Sequence, residues 1–209
     1  MKTTEKINRF CQMLRSTGRE GVEEVLAALE TNGFFEAPAS ANHHLNHKGG
    51  LFEHSLNVCD IAMDIKSVID ARKPEVSERI PMESVILAAL LHDVCKTDIY
   101  RASLVNRKTP EGVWEKVPGY VVDNSDLPLG HGEKSVIMLL SWGLKLTRNE
   151  MLAIRWHMTA WDLAFQSYEQ TTQLNKARET APLCQIIQYA DSIAAGIFEI
   201  KDWRYGGEY

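Results

Sequence analysis

Apolar residues recur at helical spacing along most of the chain. Residues 3–17 and 20–32 carry amphipathic patterns that run into Gly18 and Gly33, and they predict two short opening helices that act as packing elements. A polar connection, EAPASANHHLNHKGG, separates them from a long helix over Leu51 to Arg72. Its stripe of Leu51, Ser55, Val58, Ile61, Ala62, Ile65, Val68 and Ile69 predicts one buried face, and His54 lies on it. Pro74 and Pro81 bracket a break. Residues 82–96 are then apolar nearly all round, which predicts a central helix with His92 and Asp93 at its C-terminal end.

Between residues 102 and 123 the pattern changes. In SLVNRKTPEGVWEKVPGYVV, β-branched and aromatic positions alternate around turn signals at PEG and PG, which predicts a small hairpin or flap. Helical spacing returns over Gly132 to Trp142, over Arg148 to His157 after a Thr147 cap, and over Pro182 to Lys201. The last of these places Leu183, Ile187, Ala190, Ala194 and Ile197 on one face and Asp191 on its edge. The end, DWRYGGEY, has little to anchor it and is expected to fray. The expected fold class is all-α, a helical bundle with a small β-hairpin or flap near 102–123. It is expected to form a single domain, with packing helices over 1–42, a core over 43–200 and a tail over 201–209.

Composition narrows the function classes. Apolar content of 44% and charged content of 24% are those of a globular protein, and 209 residues suit one domain. A formal charge of −5 argues against strong nonspecific nucleic-acid binding, which needs clustered Lys and Arg against phosphates. No apolar segment approaches the roughly 20 residues that span a bilayer, and MKTTEKINRFCQ lacks the apolar stretch of a signal peptide. The expectation is a cytoplasmic protein with no membrane partner. Cys11, Cys59, Cys95 and Cys184 lie far apart without CxxC spacing, so neither a zinc ribbon nor a thioredoxin-type motif is indicated.

The chemistry gathers in the helices. A histidine or lysine suits the C-terminus of any helix, so LLHDVCK alone has a purely electrostatic explanation. A bundle built on these stripes, however, would bury His54, His92, Asp93 and Asp191. Desolvating ionised carboxylates costs several kcal/mol each unless something compensates. A divalent cation supplies the opposite charge, and imidazole with carboxylate suits iron, manganese, cobalt, nickel or zinc.

His54 in GGLFEHSLNV, the pair in LLHDVCK and Asp191 in IIQYADSIAA are similar, in order and helical placement, to the motifs of the HD-domain superfamily of metal-dependent phosphohydrolases. The resemblance covers residues 43 to 200. It implies an HD-type helical bundle in which His54, His92, Asp93 and Asp191 hold one metal ion. His131 in LGHGEKS and His157 in AIRWHMTAW fall where two-metal members hold a second ion, with Asp93 bridging both. Lys96 falls where the family sets a lysine against a phosphate oxygen. Two features depart from the pattern: Met158 follows His157 where many two-metal members double the histidine, and no GYP motif is present. The NHH segment before GGLFEHS resembles HD-type 3′-to-5′ exoribonucleases, without their added nucleic-acid-binding domain.

The resemblance implies hydrolysis of a phosphomonoester or phosphodiester, of a nucleotide or oligonucleotide, by metal-activated water. Asp93 and Lys96 would be catalytic, and Lys96, His43, His44 and Trp156 would contact the substrate. His43, His44 and His47 are candidates to protonate the leaving group, and Trp156, Trp161 and Tyr189 are candidates to stack on a base. The flap over 102–128 is a candidate lid, with Arg101, Arg107 and Lys108 as phosphate contacts. No Ser-His-Asp arrangement, GxSxG or Walker motif competes. Two other classes share the ligand pattern: an HD-type di-iron oxygenase and a noncatalytic nucleotide-binding module.

Overall fold

The computed structural model describes residues 3–123, 127–159 and 168–199. Its helices are α1 (Thr3–Ser16), α2 (Val22–Thr31), α3 (Gly50–Arg72), α4 (Pro74–Ser77), α5 (Met82–Leu91), α6 (Lys96–Ile99), α7 (His131–Ser141), α8 (Arg148–Trp156), α9 (Tyr168–Thr180) and α10 (Leu183–Ile193). A π-turn over Ala194–Phe198 continues α10. Strands β1 (Tyr100–Lys108) and β2 (Trp114–Val122) form an antiparallel hairpin in which Tyr100 pairs with Val122 and Lys108 with Trp114. The fold is thus mostly helical with one small two-stranded sheet among the described residues, as the pattern predicts. Among those residues no helix is long and apolar enough to cross a membrane.

Helix α5 is the axis of the bundle. Val85, Leu87, Ala88, Ala89, Leu90 and Leu91 are fully buried, and α1, α3, α8 and α10 pack around them. The opening helices seal one end, where Phe10, Phe34, Phe35 and Phe52 pack with ring centroids between 5.3 and 5.9 Å apart. Helix α8 starts at a capping box: the Thr147 hydroxyl accepts from the Glu150 N–H, and the Glu150 carboxylate accepts from the Thr147 N–H. Buried Glu150 also accepts from Ser84 at 2.6 Å and pairs with Arg19, which ties α8 to α5 and to the α1–α2 connection.

Several boundaries differ from the pattern. The central helix stops at Leu91 rather than residue 96, because His92–Cys95 form a turn before the short α6. Val68 leaves the buried stripe and is exposed beside a groove between the end of α3 and the start of α10. Helix α9 was not anticipated: YEQTTQLNKARET buries only Leu174 and Ala177, so its apolar period is weak. The π-turn shifts the winding by about one residue. Ile197 therefore falls off the buried face, and Glu199, whose N–H donates to the Ala194 carbonyl, turns inward. The expected tail over 201–209, residue 200 and Trp161 lie outside the described residues.

Candidate metal centre

Five elements deliver the expected residues to one point. His54 comes from the first turns of α3, His92 and Asp93 from the turn that ends α5, and Asp191 from the last turns of α10. His131 opens α7 and His157 closes α8, and two close backbone approaches help set the histidines of the site. At Gly132 a Cβ would lie 2.2 Å from the Arg155 carbonyl oxygen, so only glycine lets α7 settle on the last turn of α8. At Gly50 a Cβ would lie 1.9 Å from the Leu45 oxygen, so glycine lets the 39–45 loop close on α3 and set His44 against His54, ring centroids 5.1 Å apart.

Asp93, 2% exposed, sits at the centre. Its Oδ2 is 3.5 Å from His54 Nε2, 3.3 Å from His92 Nε2 and 2.6 Å from Lys96 Nζ. Its Oδ1 is 2.6 Å from His131 Nε2 and 3.3 Å from His157 Nε2. Asp191 Oδ1 completes the first side, 3.2 Å from His54 Nε2 and 3.9 Å from His92 Nε2. Donor atoms of His54, His92 and Asp191 lie within 4.8 Å of one another, as do those of His92, Asp93 and His157, and of Asp93, Cys95 and His131.

The outward ring edges decide what this arrangement can hold. His92 Nδ1 lies 2.8 Å from the Ala89 carbonyl oxygen, and His157 Nδ1 lies 2.7 Å from that of Ile154. His54 Nδ1 lies 3.0 Å from both oxygens of Glu199. Carbonyls and carboxylates only accept, so each Nδ1 carries the proton, and a neutral ring presents its Nε2 lone pair inward. Those lone pairs face carboxylate oxygens and one another: His54 and His92 Nε2 are 3.3 Å apart, and buried His157 Nε2 has no hydrogen-bond partner among the described residues. Acceptors facing acceptors in a buried pocket are compatible only with added protons or a cation. The donor set fits divalent ions.

The electrostatics say the same. Burial disfavours a charged His54, yet Asp191, Asp93 and Glu199 hold its pKa well above the ordinary histidine value. Burial likewise opposes protonation of His131, but Cys95 and Asp93 raise it to about 10. Burial works against the Asp93 carboxylate, which Lys96, His92 and His131 nevertheless keep ionised far below the usual range. The field that favours protons at these nitrogens also favours a cation among them.

The remaining expected residues separate. Lys96 reaches the cluster, whereas His43 is exposed and His47 is half-buried, 3.8 Å from Glu53. Burial pushes His44 down to about 4. Trp156 is only 6% exposed, packed in the core with the Arg155 guanidinium 4.1 Å from its ring centroid, so its face is not open for stacking. Tyr189 is exposed on the α3–α10 groove. Arg101, Arg107 and Lys108 are exposed on the hairpin, and Arg101 pairs with Asp123 at 3.3 Å. Sequence reasoning missed Glu199, Asn57 and Cys95. The one available signal was a lone acid in the apolar run AAGIFEI.

No solved structure matches the chain. A stretch of 62 residues, 29% of the chain, is 40% identical to the dihydroneopterin 2',3'-cyclic phosphate phosphodiesterase of Methanocaldococcus jannaschii. That stretch spans 23% of the relative's length. The family model described as HD domain matches residues 51–196, which include all six histidines and aspartates of the cluster. The chain belongs to the HD domain family.

Proposed function

We propose that this protein is a metal-dependent phosphohydrolase that cleaves a phosphoester, with a nucleotide-like phosphodiester as the favoured substrate. The observation that carries the reading is the buried pocket of inward lone pairs around Asp93, with the Lys96 ammonium 2.6 Å from Asp93. His54, His92, Asp93 and Asp191 would hold one divalent ion, and Asp93, His131 and His157 a second. Iron, manganese, nickel, cobalt or zinc suits these donors. When bound, such ions lower the pKa of water and neutralise charge developing on a phosphoryl group.

The chain's own groups supply the rest. Lys96 is 8% exposed, and against the cost of burial Asp93 keeps its ammonium charged. It can therefore hold a phosphoryl oxygen beside Asp93. His44, neutral near pH 7, suits binding through its ring rather than proton delivery as an imidazolium. The relative's name refers to a cyclic phosphodiester, which supports a diester over a monoester.

The test is metal analysis of the purified chain followed by a panel of 2',3'-cyclic nucleotides, bis(p-nitrophenyl) phosphate and nucleoside monophosphates, with each candidate metal. Hydrolysis that a chelator abolishes and a divalent ion restores is the expected result. Oxygen-dependent turnover without phosphoester cleavage would move the assignment to a di-iron oxygenase. Folded, metal-loaded protein that is inert towards the panel would overturn it.

A further inference from the structure

Glu199 is a buried carboxylate beside the cluster that the ligand pattern does not use. It is 6% exposed and follows the π-turn that ends α10. Both of its oxygens lie 3.0 Å from His54 Nδ1, its Oε1 accepts from Asn57 Nδ2 at 3.0 Å, and His44 Nε2 lies 3.9 Å from Oε2. Asn57 is one helical turn beyond His54 on α3, so the same helix presents both donors to this carboxylate.

The three inward-facing rings of known backing are not supported alike. His92 and His157 rest on the neutral carbonyls of Ala89 and Ile154, residues of their own helices. His54 rests on a full negative charge from another element. A carboxylate behind an imidazole fixes the ring's tautomer and makes the opposite nitrogen a stronger electron donor. The neutral carbonyls do the first and little of the second.

We propose that Glu199 is a positioning residue for the ion on the His54 side: it accepts the Nδ1–H, turns the Nε2 lone pair towards His92 and Asp191, and strengthens that ion's binding selectively. The inference rests on the metal-centre reading above. It assigns the two halves of the centre unequal affinities, with the His54 half made tighter by a residue that touches no ion. It also gives the π-turn a purpose, since the extra residue in its winding brings position 199 under His54.

The experiment is a chelator-competition titration of the full chain with Mn²⁺, read as fluorescence of the indicator rather than as turnover. Glu199→Gln keeps the size and an accepting oxygen but removes the charge. It should weaken one of two binding classes about 10- to 100-fold and leave the other within a factor of two or so. Glu199→Asp restores the charge at a shorter reach and should recover part of the loss, which a merely structural role would not produce. It also serves as the variant of record if Glu199→Gln does not fold. Equal affinities in wild type and both variants overturn the inference while leaving the metal centre standing. A uniform loss from both classes overturns its selectivity. Wild-type protein that binds no divalent ion overturns the metal-centre reading and this inference with it.

Discussion

Helix α5 and the β1–β2 hairpin are separated only by residues 92–99, and both are rich in apolar side chains, yet the molecule treats them in opposite ways. In α5, Leu87, Leu90 and Leu91 are fully buried under helices on every side. In the hairpin, Leu104 is 62% exposed and Trp114 66% exposed, and neither face is covered by a second layer among the described residues. The HDVCK turn thus hangs from a close-packed core on one side and opens towards solvent on the other. Packing that cannot shift holds His92 and Asp93 in place, which is what a ligand set needs. Perturbations on the α5 side should accordingly be large and specific, and those on the hairpin side small.

The largest effect is expected at Asp93, because its two oxygens face the two sides of the cluster separately. On the two-ion centre proposed above, Asp93→Ala should remove both ions after dialysis and lower kcat for any cleaved phosphoester by about 10³-fold or more. Metal content by elemental analysis checks the first part and saturating-substrate kinetics the second. A variant that retains both ions would show that Asp93 does not bridge them, and the contrast between a fixed centre and a free hairpin would lose its basis.

The next effect concerns the protons that stand in for a cation. In the chelated protein His54 and His131 have raised folded pKa values, His131 to about 10, whereas unfolded histidines titrate near 6.5. Raised values stabilise the fold fully below the unfolded pKa and lose that contribution as pH climbs towards the folded pKa. Burial lowers His44 and His92, which are neutral in the folded state and mostly neutral in the unfolded state above pH 7, so they add only a small opposing slope there. Cys59 and Cys184, pushed up to about 12 by burial, contribute only above roughly pH 8.5, where unfolded thiols ionise. From pH 7 to 8.5 His131 alone should therefore cost the chelated protein about 2 kcal/mol, roughly 5 °C in Tm, and His54 should add to that loss. Metal-loaded protein should not lose it, since metal displaces those protons. His131→Asn should flatten the slope of the chelated form. Parallel melting curves for chelated and loaded protein across this interval would contradict the cation-shaped pocket.

How much of this was legible beforehand follows from the kind of signal each part carries. The α5 stretch is apolar on all sides, so its central place and the HD pair at its end could be read from periodicity and residue type. His131 and His157 could be placed only through the family resemblance, because histidine at a helix terminus has an ordinary electrostatic use. Glu199 escaped for a geometric reason: continuing α10 at 3.6 residues per turn points position 199 away from Asp191, and nothing in AAGIFEI announces the wider turn. Trp156 was misread for the opposite reason. An aromatic beside a ligand looks like a stacking platform, but its place on α8 turns it into the core.

The smallest effect is expected from shortening the hairpin. Ala102 and Tyr120 pair directly, so residues 103–119 can be replaced by Asn-Gly while Tyr100, Arg101 and the strand bases remain. An isolated two-stranded ribbon is at best marginally stable in water, and this one leaves Leu104, Val113 and Trp114 exposed, so its removal deletes little burial. The shortened protein should melt within about 2 °C of the parent, an amount that corresponds to roughly 0.5 kcal/mol for a chain of this length. Its metal content should be unchanged, because every residue of the cluster lies outside the deleted segment. A stability loss several times larger would mean that the exposed apolar residues are covered in solution, and the hairpin would then belong with α5 as a packed element rather than standing against it.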